Sequence, residues 1–428
     1  MSQHFDAVVI GTAVIERHLF GGTCVNVGCT QTKTYVASAR AAHVARTAAQ
    51  YGVMIGGDIT IDMARVKARK DEVIGGSRSG IEKWLHATEN VTVFKGHGRF
   101  TGPRGLRIEA GDGSTQDIDA ELVFINTGTR ATVPEVKGLE QVPYLTNASI
   151  LELTEVPKHL VIVGASYIAL EFGQMFRRFG SHVTLLVRGG RILAREDEDF
   201  ARAIQDVSSC ARASSSVSIR RSAAWSRRRA ACAFSPMAGG IDASHLLFTT
   251  GRTPNTDDLG LEHAGIVVNR HGMIDVDGQL RTKAEGVYAL GDVNGLGAFT
   301  HTSWNNYEII ASNLLDCESR SVDTRVMAYA VFVDPPFGRV GMSEEDVRRD
   351  GREALIAIMP MSRVGRARER GETDGFMKAL VDARTRRFLG AGIYGIEGDE
   401  VIHTFLDIMN ADAPYTTRCS GLCIFIRL

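Results

Sequence analysis

Cysteine is scarce in this chain: seven among 428 residues, too few to staple a fold of this size with disulfides. Charge of either sign is not in excess, with a formal net charge of -1. That balance, with no aromatics interleaved among basic residues, argues against a nucleic-acid partner. No apolar run is long enough to span a bilayer, and no basic segment followed by an apolar one opens the chain, so a cytoplasmic location and no membrane partner are expected. What remains is an ordinary globular composition, 44% hydrophobic and 23% charged. It is enough for a large core spread over two or three domains.

Two of the scarce cysteines stand five apart in "GGTCVNVGCTQTKT", residues 21–34. In a reducing compartment such a pair is catalytic, redox-active or metal-binding more often than structural. A zinc site would need two further ligands at a sensible spacing, and none stands nearby, so no metal is expected. The alanine-rich stretch that follows favours a helix, which places Cys29 near a helix N-terminus where a thiolate is stabilised.

Two stretches carry the order of a dinucleotide-binding unit. The clearer one is "HLVIVGASYIALEFGQMFRRFGSHVTLLVR" from His159. An apolar strand ends in Gly164, a small-residue turn with Ser166 opens a helix at Tyr167 and Ile168, and a second strand follows. That second strand ends without an acid and is followed by Arg188 and Arg191, which suits a 2′-phosphate and favours NADP over NAD. The other stretch is the start, "FDAVVIGTAVIER". A strand ends in Gly11 and a second strand with its acid, Glu16, comes almost at once, leaving no room for a phosphate loop and helix between them. One long strand, a tight turn or a deletion would account for it.

Further strand ends follow in "FINTGT" (Thr127, Gly128), "LFTTGRTPN" (Gly251, Arg252) and "GVYALGD" (Gly291, Asp292). With these, nearly the whole chain resembles the flavoprotein pyridine nucleotide-disulfide oxidoreductases, and the mercuric-reductase-like branch most. The G-G-T-C-x-N-x-G-C motif with Lys33 four residues on is the most specific part. The resemblance implies an α/β fold: an FAD-binding Rossmann-like domain (1–150 and 273–320), an inserted NAD(P)-binding Rossmann-like domain (151–272) and an α+β dimerisation domain (321–428). It implies FAD and NADP (or NAD) as cofactors, a homodimer, and a small-molecule or metal-ion substrate. It gives Cys24 the part of the attacking interchange thiol and Cys29 that of the charge-transfer thiol against the flavin. Lys33 and Glu171 match the family's ion pair, Glu16 its ribose ligand, and Asp292 its ribityl-pyrophosphate ligand. Gly22, Thr23, Thr127, Gly128, Gly251, Arg252 and Gly291 fall in its cofactor-binding turns. Gln31 stands where the family usually has proline.

Two stretches depart from that pattern. Residues 207–236 hold six arginines and nine serines with no acid and no glycine, the composition of a basic linker. The end, "TRCSGLCIFIRL", lacks the family's His-Pro. Back-translated with GC-rich codons and shifted by one frame, Arg418 to Arg427 reads VQRAVHIHP and Val207 to Arg227 reads VLVREGVEFRLDSALSGVEP. The expectation is therefore an oxidoreductase whose coding sequence carries frameshifts and a deletion after Thr12. The alternative is a remnant without flavin or turnover.

Overall fold

The computed structural model describes residues 3–11, 14–136, 138–188, 191–209, 218–221 and 241–419. The chain divides into two compact units. The first comprises Met1–Thr34, Arg65–Thr132 and Gly251–Arg325, and the second Tyr35–Ala64, Val133–Thr250 and Val326–Leu428.

The first unit is built on a mixed sheet. Its central strand, Gln3–Ile10, runs parallel to Thr115–Ile125, with Ile10 opposite Ile125. Val287–Ala289 lies parallel on the far side of the same long strand, and the hairpin His97–Phe100 and Gly105–Glu109 extends it in antiparallel fashion. On the other flank, the two-residue strand Ile15–Glu16 pairs parallel with Ile10, and Phe94–Lys95 pairs with it in turn. Val8, Ile10, Ile15, Val123, Ile125, Val287 and Ala289 form one buried apolar cluster. These residues alternate along their strands, so they share one face of the sheet, and burial of that face fixes the register. The start of the chain is therefore two strands paired in parallel, and not one long strand.

The second unit contains a sheet ordered Ser218–Arg221, His182–Val187, His159–Val163, His245–Phe248, all parallel. The crossover between His159–Val163 and His182–Val187 is the helix Tyr167–Phe179. Its inner face is apolar because Phe172, Met175, Phe176 and Phe179 recur at helical spacing, and all four are buried. Burial of each contributes about 2 kcal/mol. The helix stops at Gly180, whose φ of 119° accommodates the left-handed cap. The arginine-serine stretch expected to be a linker behaves otherwise where it is described. The helix Glu198–Ser209 runs into it, and Ser218–Arg221 adds a strand beside His182–Val187. Strand pairing is a backbone property, so four residues of poor composition can still hold a ladder position at a sheet edge. Cys210, Cys232, Cys423 and the rest of that stretch lie outside the described residues, as do residues 420–428.

The same unit holds an antiparallel five-stranded sheet, ordered Ala328–Val331, Phe337–Gly341, Phe388–Tyr394, Phe376–Asp382, Ala354–Pro360. Val340, Ala379, Ala391, Ile393, Ile402 and Phe405 make its core, the last two from the helical stretch around His403–Asn410. Phe200 stacks on Phe376 with ring centroids 4.4 Å apart. Lys378, almost fully buried, reaches Asp197 (2.9 Å), Asp199 (2.8 Å) and Glu344 (2.7 Å). No helix among the described residues is long and apolar enough to cross a membrane.

Candidate active site

The cysteine motif folds as two successive helices, Gly22–Asn26 and Cys29–Thr47. Gly21, at a φ of 99°, opens the first. Between the two, Gly28 is packed so closely that a Cβ there would lie 2.7 Å from the Thr23 carbonyl oxygen. Asn26, the asparagine of the motif, is the clasp. Its amide nitrogen donates to the carbonyls of Leu19 (3.1 Å), Phe20 (2.8 Å) and Gly22 (3.0 Å), and its Oδ1 accepts from Arg78 at 2.9 Å. Gln31 fills the position of the family's proline. It is buried and donates to the Asn26 carbonyl, so the substitution is absorbed by a hydrogen bond.

Cys29 is the first residue of its helix, as the alanine-rich pattern predicts. It is exposed and Cys24 is half-buried, both as free thiols. Their hydrogen bond decides where the charge sits. The Cys29 thiol donates to Cys24, which holds the Cys24 pKa down at about 5, with Thr300 helping against the opposing effect of burial. The Cys29 pKa is correspondingly raised, chiefly by that donation, although Thr300 and the positive charge of Lys33 pull the other way. In the reduced pair the single negative charge therefore rests on Cys24. Once the first proton is gone, the helix N-terminus at Cys29 does not overcome the neighbouring anion.

Thr300 was not foreseen from the sequence, where "FTHTSW" carries no signal. Its hydroxyl lies 3.3 Å from the Cys24 sulfur and 3.5 Å from the Cys29 sulfur. It opens the helix Thr300–Leu315, and two turns on the same helix presents Asn306. Asn306 Oδ1 accepts from the Gly291 backbone N–H at 2.9 Å and from Asn294 at 3.3 Å, which fixes its amide orientation. Its Nδ2 is buried with no acceptor among the described residues, a donor left over beside the Gly291–Asp292 turn.

That turn belongs to a second cluster. Thr129 donates to Asp292 Oδ2 at 2.9 Å, while Arg252 donates to the Thr129 carbonyl at 2.8 Å and its Nε lies 3.6 Å from Asp292. Thr127 and Asn255 exchange side chain–backbone hydrogen bonds of 2.9 and 2.8 Å, and Asn255 N–H donates to the Gly128 carbonyl at 3.0 Å. The two Thr-Gly strand ends are thus tied together, with Gly128, Gly251 and Gly291 at positive φ.

In the second unit, Gly164 has a φ of +145° and sits so close to Thr249 that a Cβ would lie 2.7 Å from its carbonyl oxygen. Ser166 is the N-cap of the helix that Tyr167 and Ile168 begin. Arg188 is exposed at the end of its strand. Arg191 donates to the carbonyls of Ala194 (3.0 Å) and Glu196 (3.1 Å), tying down its own loop. Glu171 is buried and accepts from the Phe332 backbone N–H at 2.9 Å. Lys33 belongs to the first unit and Glu171 to the second. Glu16, at the end of the short strand Ile15–Glu16, is buried, and its Oε1 accepts from His18 N–H at 2.7 Å.

Residues 5–308 match the family described as pyridine nucleotide-disulphide oxidoreductase, and residues 327–424 match its dimerisation domain. The chain belongs to this family. It is 35% identical over 409 residues to the probable pyridine nucleotide-disulfide oxidoreductase RclA of Escherichia coli, covering 94% of this chain and 88% of that protein. It is 29% identical to a mercuric reductase of Staphylococcus aureus, over 96% of this chain and 76% of that one. It is 32% identical to a mycothione reductase of Mycobacterium tuberculosis, over 93% and 87%. Among solved structures, the Cu(II) complex of the HOCl-induced flavoprotein disulfide reductase RclA superposes with a TM-score of 0.87 at 31% identity, covering 100% of this chain and 97% of that one.

The protein is thus an oxidoreductase of the FAD- and NAD(P)H-dependent disulfide reductase type with the mixed α/β fold of that family. The reading as an inactive remnant is not favoured. The residues on the flavin side fit such a cofactor: the Cys24/Cys29 pair, Thr300, the spare Asn306 donor and the braced Asp292 turn. On the pyrophosphate side, four residues stand between Ile10 and Ile15, where such a site needs a glycine loop and a helix.

Proposed function

We propose that the chain carries electrons from NAD(P)H to the Cys24/Cys29 pair and on to a thiophilic, reducible metal ion such as Cu(II). Bound FAD supplies the step between hydride and dithiol. Cys24 is the thiol that meets the substrate and Cys29 the one beside the flavin, with Lys33 favouring negative charge on Cys29. Asp292, Gly291, Thr127, Gly128 and Arg252 serve the flavin. Gly164, Ser166, Tyr167, Ile168, Arg188 and Arg191 serve the nicotinamide dinucleotide. The observation that carries this reading is the thiol pair itself, one sulfur exposed and the other half-buried as a thiolate at neutral pH. A thiolate is both the soft ligand and the reductant such an ion needs. The relatives support it, since mercuric reductases recur among them and RclA is solved as a Cu(II) complex.

The balance closes. Oxidation of the thiolate–thiol pair to a disulfide releases two electrons and one proton, reducing two Cu(II) to Cu(I). Hydride from NAD(P)H restores the thiolate–thiol pair with no net proton uptake and leaves NAD(P)⁺. A disulfide substrate is the second reading, favoured by the mycothione reductase relative. The chain acts in the cytoplasm as a homodimer through the matched dimerisation domain.

The test follows NADPH oxidation by the FAD-supplemented chain with Cu(II), trapping Cu(I) with a chelating dye, in parallel with low-molecular-weight disulfides. Two Cu(I) per NADPH, lost with Cys24→Ser or Cys29→Ser, supports the proposal. Faster turnover of a disulfide than of Cu(II) would reverse the order of the two readings.

A further inference from the structure

The chain contains its own standard for how a dinucleotide's pyrophosphate is held. In the second unit, residues 164–181 lie between the paired strands His159–Val163 and His182–Val187, and they hold the turn at Gly164, the Ser166 N-cap and the helix Tyr167–Phe179. In the first unit, only residues 11–14 lie between Gln3–Ile10 and Ile15–Glu16. Four residues are too few for a phosphate loop followed by a crossover helix, the arrangement that meets a pyrophosphate with helix N-terminal amides.

Several of the described polar groups that flank this junction are already engaged. Gly11 N–H donates to the Ile15 carbonyl at 3.0 Å, and the Val14 carbonyl accepts from Phe94 N–H at 2.7 Å. Gly96 N–H donates to the Glu16 carbonyl at 3.1 Å. The Glu16 carboxylate accepts from His18. Arg17, the nearest basic side chain in sequence, is paired with Asp258 at 2.5 Å. Gly11 itself packs against Asn126, where a Cβ would lie 2.5 Å from the carbonyl oxygen.

The residues assigned here to the flavin, by contrast, lie together within the same unit. The helix Thr300–Leu315 holds Thr300 against both sulfurs and, through Asn306, braces the Gly291–Asp292 turn while keeping one buried donor unspent. We infer that this chain recognises the isoalloxazine and ribityl half of a flavin and not its adenosine diphosphate half, so that FAD, FMN and riboflavin bind with similar affinity. The inference rests on the flavin-dependent reading above and specifies which part of the cofactor the protein grips.

The experiment is a fluorescence titration of the purified, flavin-stripped full chain with FAD, FMN and riboflavin, with retention through gel filtration as a second readout. Dissociation constants within tenfold of one another, with flavin lost on the column, support the inference. FAD bound more than tenfold tighter than FMN, or co-purifying at one equivalent, overturns it and leaves the flavin-dependent function standing. Failure of all three to bind overturns it together with that function. Glu16→Gln gives an independent check that needs no turnover. A change in FAD affinity of less than threefold supports the inference, because the adenosine ribose is not engaged, and a larger loss overturns it.

Discussion

Replacing Thr300 by valine keeps the shape of the side chain and deletes the hydroxyl that lies 3.3 Å from the Cys24 sulfur and 3.5 Å from the Cys29 sulfur. A hydrogen bond to a charged group contributes about 1.5–3 kcal/mol. This one is long, and its acceptor is a half-buried sulfur, so the low end, about 1.5 kcal/mol, is the better figure and corresponds to about one pKa unit. The Cys24 pKa of about 5 should then rise by roughly one unit. The assay is the rate of iodoacetamide alkylation of the reduced chain between pH 4 and 8, with mass spectrometry assigning the modified sulfur. The wild-type chain should label first at Cys24, and the rate should fall as pH drops through about 5 because the thiolate is protonated there. An inflection that does not move in Thr300→Val would refute the role of the hydroxyl. Primary labelling of Cys29 at low pH would refute the assignment of the charge.

Two further perturbations test the second unit. Lys378→Met removes the ammonium shared by Asp197, Asp199 and Glu344. Leaving those carboxylates without their buried cation should cost about 3–5 kcal/mol, read as a lowered urea midpoint, and an unchanged midpoint would show that the cluster is solvated. Asp334 is held by Arg40 at 2.7 Å and Arg178 at 2.8 Å. Burial alone would raise its pKa, but the two guanidinium groups outweigh burial and lower it. Its stabilising contribution is therefore complete above the ordinary carboxylate pKa of about 4 and is lost as pH falls through the depressed native value. Asp334→Asn should melt earlier at pH 7 and show a smaller further loss on acidification than the parent, and parallel acid profiles for the two chains would exclude this ion pair as a source.

Sequence reading reached furthest where a backbone requirement forces a residue type. The Gly164 turn, the Ser166 cap and the apolar face of Tyr167–Phe179 follow from strand, small residue and helical spacing alone. So does the helix that begins at Cys29. Contacts that join distant parts of the chain left no such mark. Thr300 lies 276 positions from Cys24, and nothing local distinguishes it from any other helix-opening threonine. Asn26 looked like a motif letter and proved to be the clasp of three carbonyls. The direction of charge in the thiol pair was also hidden, because it depends on which thiol donates to the other. The strand Ser218–Arg221 shows the opposite limit, since composition argued for a linker while the backbone register with Thr184 to Val187 supplied the pairing.

The two strand-to-strand junctions of this chain differ in their backbone accounting, and that difference has a chemical consequence. Where a helix intervenes, as after Gly164, the Ser166 turn leads into a helix N-terminus, the kind of place where an anion is ordinarily held. Where the strands follow directly, as after Ile10, the Gly11 N–H is taken by the Ile15 carbonyl and is not free to offset a pyrophosphate's desolvation. A shortened crossover therefore does more than trim a loop. It keeps Ile15 in the buried cluster and the sheet paired, while leaving no length for a phosphate loop and helix. Fold and phosphate recognition are separable here because the sheet is held by apolar burial and the phosphate would have been held by unpaired amides. The shortening removes the second without touching the first.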